Sequence, residues 1–356
     1  MTAFDGQTLK LSDGQVAIEG ATAWIATVDS LTAHDTGTGT ATEIPPGAGL
    51  VSGVTVGAPV VADITGTTAV LSVIPFSTPG TGTQVAKNGI RLLVADAHTC
   101  TLLWSADLPT PGFDDKSTLR IAGVDGGTAV IVNGRDIVAV DLVKHQPAWS
   151  KENMSKSVQV VAVGAGHVAV IEPNDFSEYQ VNAFRVTDGT LDWTEAKEER
   201  LSAIPAGPGR IMVTRNKTAR PVNALVDLAT GRHISEIQRD LVPDRCIDDG
   251  KSVLVCTKES AGPLTAVGIN SADGKVLWQL PTDERVAPYV TAVWHGTVYG
   301  RVDNVCLMLD AVTGEDRPGQ LPDSPDLVDA HIGVFLGDRR HISGKYPEPV
   351  ARRTTG

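Results

Sequence analysis

The segment Asn270-Ser-Ala-Asp-Gly-Lys-Val-Leu-Trp278 decides the fold, because its pattern recurs along the whole chain. In each copy a mostly acidic or polar anchor residue is followed by a turn and, eight residues after the anchor, by a position that is often Trp. The pairs of anchor and eighth residue are Asp35 and Glu43, Asp96 and Trp104, Asp141 and Trp149, Arg185 and Trp193, Asp227 and Ser235, Asn270 and Trp278, and Asp310 and Pro318. A period of about 40 to 45 residues is typical of stacked or radial repeats.

Short apolar runs separated by Gly-containing turns fill the sequence between the anchors. Ser252-Val-Leu-Val-Cys256 follows the turn at Asp249-Gly250, and Cys306-Leu-Met-Leu-Asp310 reaches the last anchor. Such runs predict short strands, four to a repeat, and no stretch shows sustained helical periodicity. We therefore expect an all-β fold, a β-propeller of four-stranded blades in which residues 1–356 form a single domain.

The two ends of the chain complete one repeat between them. Ala330-His-Ile-Gly-Val-Phe-Leu-Gly337 has the shape of Val293-Trp-His-Gly-Thr-Val-Tyr-Gly300, so an eighth repeat begins near the C-terminus. Asp5-Gly-Gln-Thr-Leu-Lys10 matches Asp273-Gly-Lys-Val-Leu-Trp278, which predicts an outer strand at the N-terminus. We expect eight blades, closed by pairing of the N-terminal outer strand with the C-terminal strands, because closure removes exposed sheet edges. Seven blades is the alternative if the match is accidental.

The recurrent Trp and Gly residues are interpreted as structural. Gly at the anchor turn supplies the positive φ that such a hairpin requires, and Cys100 and His145 stand at two of these positions. A Trp on the outer strand covers the seam to the next blade and buries about 150–250 Å². The structural repeat residues are Trp104, Trp149, Trp193, Trp278, Gly231, Gly274 and Gly314.

At these residues the chain resembles the quinoprotein-like propellers, whose repeats carry the pattern Leu-x-Ala-Leu-Asp-x-x-Thr-Gly-x-x-x-Trp. The closest copies are Asn223-Ala-Leu-Val-Asp-Leu-Ala-Thr-Gly231 and Ala272-Asp-Gly-Lys-Val-Leu-Trp278, and the resemblance covers nearly the whole chain. The family includes eight-bladed alcohol dehydrogenases that use pyrroloquinoline quinone (PQQ). It also includes non-catalytic relatives, such as the outer-membrane assembly lipoprotein of Gram-negative bacteria and actinobacterial surface and sensor propellers. Fold resemblance alone does not carry function.

The sequence lacks the adjacent cysteines and the long insertions that quinone chemistry in this family would need. The resemblance implies that a dehydrogenase would have adjacent cysteines, a Trp floor and Glu, Asn and Asp ligands for Ca²⁺, but no two of the four cysteines are adjacent. The eight histidines show no metal-binding spacing, and no Cys-x-x-Cys occurs. We predict no catalytic, cofactor-binding or metal-binding residues and no cofactor. A PQQ-dependent oxidoreductase or another propeller enzyme is the alternative.

Two of the cysteines are placed to pair. Cys246 and Cys256 bracket Asp248-Asp-Gly-Lys251, and a hairpin there would set them opposite each other on neighbouring strands. We expect a disulfide, with two reduced cysteines as the alternative. Cys100 and Cys306 fall in different repeats and are expected to be unpaired. A disulfide favours a location outside the cytoplasm.

Charge and hydropathy narrow the class of partner. The net charge of −12 argues against binding to nucleic acid or to an anionic membrane surface. No segment approaches the roughly 18 apolar residues of a membrane span. Met1 coincides with the expected start of a blade strand, which favours a domain from which any targeting segment has been removed.

These observations favour a non-enzymatic binding or scaffold propeller, monomeric and extracytoplasmic, whose ligand is a protein, a peptide or a cell-envelope component. The sensor part of a larger membrane-anchored protein fits the same features. Binding residues concentrate on loops that a rigid scaffold positions. The longest predicted insertion, an exposed loop of the second repeat, supplies the candidate residues Ser77, Thr81, Gln84, Lys87 and Asn88.

Overall fold

Strands account for the regular structure of this chain. The computed structural model describes residues 3–4, 8–45, 51, 54–83, 85, 87–110, 118–152, 154, 159–173, 178–198, 200–215, 221–238, 242–260, 262–303, 305–319, 321, 323–336 and 349–355. These residues form strands and turns without a helix, in agreement with the all-β prediction. None of these described residues forms a helix long and apolar enough to cross a membrane.

The strands are grouped by sequence order into antiparallel sheets, one to a repeat. Two short strands open the chain, β1 (Ala3–Phe4) and β2 (Leu9–Lys10). Blade 1 consists of β3 (Gln15–Glu19), β4 (Thr22–Ala26), β5 (Leu31–Asp35) and β6 (Ala41–Ile44), and the short additional strand β7 (Thr55–Val56) follows it. Blade 2 consists of β8 (Val60–Ile64), β9 (Thr67–Thr78), β10 (Lys87–Asp96) and β11 (Leu102–Pro109). Blade 3 consists of β12 (Thr118–Asp125), β13 (Thr128–Asn133), β14 (Asp136–Asp141) and β15 (Gln146–Lys151), and blade 4 of β16 (Gln159–Gly164), β17 (His167–Pro173), β18 (Tyr179–Arg185) and β19 (Leu191–Glu198).

The second half of the chain repeats the arrangement. Its strands form blade 5 with β20 (Leu201–Pro205), β21 (Arg210–Arg215), β22 (Val222–Asp227) and β23 (His233–Gln238); blade 6 with β24 (Arg245–Asp248), β25 (Val253–Lys258), β26 (Thr265–Asn270) and β27 (Val276–Leu280); blade 7 with β28 (Tyr289–Trp294), β29 (Thr297–Val302) and β30 (Val305–Asp310); and blade 8 with β31 (Leu327–Val328), β32 (Ile332–Phe335) and β33 (Val350–Thr355). In blade 7 a single bridge between Leu309 and Asp316 stands in the place of a fourth strand.

Blade 8 closes the ring. Three of its strands come from the C-terminal part of the chain, and β1 and β2 both pair with β33 on the outer side. The predicted count of eight blades and the predicted closure are therefore confirmed, and the alternative of seven blades is wrong. The register differs from the sequence match by one residue, because Leu9, and not Lys10, lies opposite Ala351.

The second strand of each blade is buried on both sides over most of its length. In β25 the first five residues are all buried, and Val253 and Val255 pack towards blade 7 while Leu254 and Cys256 pack towards blade 5. Because a neighbouring blade covers each side of the sheet, these strands read as continuous apolar runs instead of alternating ones. The core is thus a series of apolar layers between blades.

Each anchor residue ends the third strand of its blade and holds the turn that follows. Asp310 Oδ1 accepts hydrogen bonds from the backbone N–H groups of Val312 and Thr313, at 2.9 and 3.0 Å. Gly314 then takes a φ of 71°. Cys100 and His145, at the corresponding positions of two other turns, take the same left-handed conformation with φ of 54° and 56°. The turn geometry therefore persists where the Gly is lost.

The outer-strand Trp of one blade docks on the anchor turn of the next. Trp278 Nε1 donates to the carbonyl oxygen of Ala311 at 2.7 Å, and a Cβ added to Gly314 would lie 2.6 Å from Trp278. Two further contacts of this kind join Trp149 Nε1 to Val186 O (2.8 Å) and Trp193 Nε1 to Leu228 O (3.0 Å), and Gly189 and Gly231 lie against the two rings. Trp104 stacks on His145, with ring centroids 4.0 Å apart. In blade 5, Ser235 takes the Trp position and lies against Gly274. Each of these seams is closed by direct contact.

A β-bulge sets the position of these Trp residues, and blade 1 lacks it. In blades 2 to 6 the register between the third and fourth strands shifts just before the anchor, so Trp149 faces Ala139 and Trp278 faces Gly268. In blade 1 the pairing is continuous, and Thr42 faces Ala33. Glu43, eight residues after its anchor, therefore lies on the opposite side of the sheet from the Trp position.

Cys246 and Cys256 form a disulfide between β24 and β25, where the two residues are direct cross-strand partners. Cys256 is fully buried. Cys100 and Cys306 are free and half-buried in blades 2 and 7.

Candidate interaction surface

The antiparallel blades give the ring two different faces. The turns after the first and third strands lie at one end of every sheet and form the turn face, for example Gly126–Gly127 and the anchor turn after Asp141. The connections after the second and fourth strands lie at the other end and form the loop face.

The turn face is built from short, uniform turns. Between the first and second strands of several blades only two residues intervene, and both have positive φ at Thr65–Gly66, Gly126–Gly127, Ala165–Gly166 and His295–Gly296. Two-residue loops of this conformation match the twist of the strands they join. Contacts continue from blade to blade, since the buried carboxylate of Asp249 accepts the N–H of Gly296 at 3.0 Å. The backbone of this face is largely engaged within the ring.

The loop face varies from blade to blade. Its connections between second and third strands run from Ala26 to Leu31, Thr78 to Lys87, Asn133 to Asp136, Pro173 to Tyr179, Arg215 to Val222, Lys258 to Thr265, Val302 to Val305 and Phe335 to Val350. Binding residues are typically found on such variable connections. The repeat fixes the ends of these connections and leaves their interiors free to differ.

The predicted binding segment of the second repeat is a long hairpin, and its description as an extended loop is wrong at both ends. β9 continues to Thr78 and β10 begins at Lys87, so Ser77 pairs with Asn88 and Thr78 with Lys87. Thr81 is exposed between the strands, and Gln84 lies outside the described residues. Pro75 and the Ser-Thr pair resemble loop sequence, but the ladder passes through them.

Three side chains hold this hairpin to its blade. A Cβ at Gly89 would lie 2.4 Å from the ring of Phe76, so the ring packs directly over the glycine backbone. The Arg91 guanidinium lies 5.1 Å from the centroid of Phe76, and its Nε and Nη2 donate to the Asp107 carboxylate at 2.6 and 2.8 Å. Cation–π contact and a bidentate ion pair both favour one geometry. The hairpin thus projects from the loop face on a fixed base.

A second element on the loop face was not predicted. β7 pairs in parallel with the start of β12, with Thr55 opposite Thr118 and Val56 opposite Leu119. It therefore adds a fifth strand to the inner edge of blade 3, the edge that lines the central channel. Gly57 donates its N–H to Leu119 O at 2.8 Å. A Val-Thr-Val run between glycines was the available signal, but two paired residues carry no periodicity.

Arginines on the inner strands join consecutive blades. Arg120 on β12 donates to Val160 O at 3.0 Å, and Arg245 on β24 donates to Val290 O; each carbonyl lies at a bulge in the inner strand of the next blade. Burial lowers the pKa of Arg120, because the charged form loses hydration. These cations link the inner strands of neighbouring blades beside their bulges.

A cluster of four ionisable side chains lies between blades 4 and 5. Arg215 pairs with the buried Glu195 and with Glu236, and the His233 ring lies 3.1 Å from each carboxylate. Because the guanidinium sits among the carboxylates, the cluster is an ion-pair network across the seam. In the described ranges no three His, Cys, Asp or Glu side chains are arranged to hold a metal ion.

Closed eight-bladed rings with Trp residues docked on the next anchor turn define a β-propeller of the PQQ-like repeat class. A family model described as "Outer membrane protein assembly factor BamB" matches residues 88–286, more than half of the chain, and the chain belongs to this family. The predicted family is thus confirmed. No curated protein sequence matches the chain.

Two solved structures are similar to this chain. BamB from Moraxella catarrhalis matches over 100% of both chains, with a TM-score of 0.56 and 11% identity. The computationally designed Ika8 protein matches 87% of this chain and 98% of its own, with a TM-score of 0.43 and 13% identity. At such identity the likeness to BamB supports the fold alone.

Proposed function

We propose that this propeller is a non-enzymatic binding scaffold that presents its loop face to a protein, a peptide or a cell-envelope ligand outside the cytoplasm. The observation that carries the proposal is the difference between the two faces. The turn face repeats the same short turns, whereas the loop face carries the braced β9–β10 hairpin and the added strand β7. A rigid ring with one variable face is suited to recognition.

Two further observations support the location and the class of partner. The matching family is described as an outer membrane protein assembly factor, which supports a protein partner and a place in the cell envelope. The Cys246–Cys256 disulfide favours an oxidising compartment. The chain acts as a monomer in this proposal, either alone or as the sensor part of a larger protein.

Site-specific photocrosslinking on the two faces tests the proposal. p-Benzoylphenylalanine replaces Val85, which is 84% exposed on the β9–β10 hairpin, and in a matched variant it replaces Val143, 59% exposed on the anchor turn of blade 3. Irradiation of native cells should give a discrete crosslinked protein or cell-wall adduct from position 85 and none from position 143. Mass spectrometry identifies the adduct.

A second set of variants separates the predicted side chains from the hairpin as a whole. Lys87→Glu and Asn88→Ala should weaken the crosslink at position 85, because both residues lie on the strand that leads from the tip. Their free energy of unfolding should change by less than about 0.5 kcal/mol, as for ordinary exposed sites. Crosslinking from position 143 alone, or none from either position, would contradict the proposal.

The oxidoreductase alternative has a separate test. A bound cofactor raises Tm by mass action. We expect saturating PQQ with Ca²⁺ to leave Tm unchanged; a rise that depends on both would restore the enzyme hypothesis.

A further inference from the structure

The Trp seams define a slot with three common parts. One is the Gly of an anchor turn, another is the carbonyl oxygen directly after the anchor, and the third is the side chain on the preceding blade's outer strand that fills the space between them. In the seam between blades 6 and 7 these parts are Gly314, Ala311 O and Trp278. The ring packs on the Gly and its Nε1 donates to the carbonyl.

The seam between blades 8 and 1 has the same slot with a smaller filling residue. Leu9 faces Ala351 on the third strand of blade 8, as Trp278 faces Gly268 in blade 6. The anchor turn of blade 1 supplies Gly39, with φ of 73°. A Cβ added to Gly39 would meet nothing within 4 Å, whereas at Gly314 it would collide with Trp278. The slot is therefore open, whereas the five seams from blade 2 to blade 7 are filled.

A cleft of about 210 Å³ occupies this position, and Leu9, Gly37, Gly39, Ala351 and Arg353 are among the residues that line it. Its volume is below the roughly 300–1,000 Å³ of pockets for drug-sized ligands and suits one large side chain. A seam without a Trp is not always open. In the seam between blades 5 and 6, Ser235 lies so close to Gly274 that a Cβ added to Gly274 would collide with the Ser235 Oγ.

The polar part of the slot is also in place. Arg353 Nε donates to Thr36 O at 3.1 Å, the carbonyl that corresponds to Ala311 O in the Trp278 seam. A carbonyl oxygen has two lone pairs and can accept a second donor. The Arg353 guanidinium lies at the edge of the cleft, where it could contact the face of an aromatic ring. An N–H-bearing aromatic ring matches each of these groups.

We propose that the blade 8–blade 1 slot binds an indole side chain of a partner protein, in the manner in which this chain's own Trp residues fill the equivalent slots. The inference rests on the proposed function, because it adds a second contact point for a protein partner. The slot lies on the turn face, where its open seam differs from the closed seams of blades 2 to 7, and it is a separate contact from the β9–β10 hairpin on the loop face.

Fluorine NMR with a minimal probe tests the proposal on the whole chain. N-acetyl-5-fluorotryptophanamide is titrated against the wild type and against Leu9→Trp, in which the chain's own indole fills the slot. The fluorine resonance should broaden and shift with the wild type, and affinity for the Leu9→Trp protein should be at least about tenfold weaker. Equal effects with both proteins, or no effect with the wild type, would overturn the proposal.

A pair of glycine variants guards against a folding defect in Leu9→Trp. Gly39→Asn places a side chain in the slot at a positive φ that Asn tolerates. Gly20→Asn makes the same change at φ of 56° on another turn of blade 1, also with open space around it. Loss of binding in the first variant and retention in the second are expected; retention in both would exclude the slot. Photocrosslinking from position 85 tests the proposed function, and the titration tests the slot. Failure of one proposal can therefore be distinguished from failure of the other.

Discussion

The two faces of the ring differ although the same strands end on both. On the turn face, the anchor carboxylates and tight hairpins bind neighbouring backbone groups, as Asp310 does with Val312 and Thr313. On the loop face, connections range from the step between Asn133 and Asp136 to the span between Phe335 and Val350. Closure of the ring thus constrains the turn face strongly, apart from the open seam between blades 8 and 1, and leaves the connections of the loop face free to differ.

The largest expected effect is at a turn-face seam. Trp278→Ala should lower the free energy of unfolding by about 3–5 kcal/mol, because it leaves a cavity and deprives Ala311 O of its donor. Trp278→Phe keeps most of the packing and should cost about 1–2 kcal/mol. Urea denaturation followed by circular dichroism gives both values. A loss below about 1 kcal/mol for the alanine variant would show that the seams contribute little to the rigidity of this face.

The disulfide braces blade 6 towards the loop face. Its partners are separated by 10 residues, and the loop-closure model gives about 2–3 kcal/mol for a loop of this size. Replacing Cys246 and Cys256 with alanine should lower the unfolding free energy by that amount, and dithiothreitol should do the same to the wild type. Cys306→Ala, which removes a free cysteine, is the matched control. Reduction should lower its unfolding free energy by the same amount as that of the wild type. Equal urea midpoints for oxidised and reduced wild type would contradict this assignment.

The added strand β7 leaves no room for a side chain at Gly57. A Cβ at Gly57 would lie 2.5 Å from Arg120 Cβ, so Gly57→Ala should displace the strand and cost about 1–3 kcal/mol. Hydrogen exchange should show loss of protection at the position-57 amide, which otherwise donates to Leu119 O. Ala58→Ser, at the exposed neighbouring residue, should leave both measurements unchanged. Unchanged protection in the Gly57 variant would mean that β7 is held by other contacts.

Acid should weaken the turn face by a smaller amount. The hydrogen bond from Arg317 at 2.8 Å, with those of the turn, holds the pKa of Asp310 below its usual value of 3.8. Its stabilising effect is therefore complete above the unfolded-state pKa and is lost as pH falls through the lower folded-state pKa. Asp310→Asn should cost less than about 1 kcal/mol at pH 7, since solvent screens the pair. Urea denaturation should show that the difference in unfolding free energy between the wild type and Asp310→Asn shrinks below about pH 4. A difference that grows as the pH falls would contradict the lowered pKa of Asp310.

The sequence predicted the features that repeat and missed those that depend on pairing. Anchors, strand order, ring closure and the cysteine hairpin all follow from regular spacing, and the structure contains each of them. The repeat spacing predicts Glu43 and Lys10 at the Trp position, but Thr42 and Leu9 occupy it in the structure. The bulge that determines this position cannot be recognised from the spacing. β7 and the ladder through Ser77 lack a distinctive pattern, and the open slot becomes visible only when Gly39 and Leu9 are seen together.

Blade 8 has a consequence for how the molecule folds. Blades 1 to 6 each use strands that are close in sequence, so each can form as soon as its own residues are available. Blade 8 joins Leu9 to Ala351 and Phe4 to Thr354, and these contacts have nearly the largest sequence separation that the chain allows. Such long-range pairing carries a high entropic cost and tends to be slow. During synthesis on the ribosome, β2 must therefore wait for β33, and for that time the sheet faces of blades 1 and 7 that pack against blade 8 lack their neighbour.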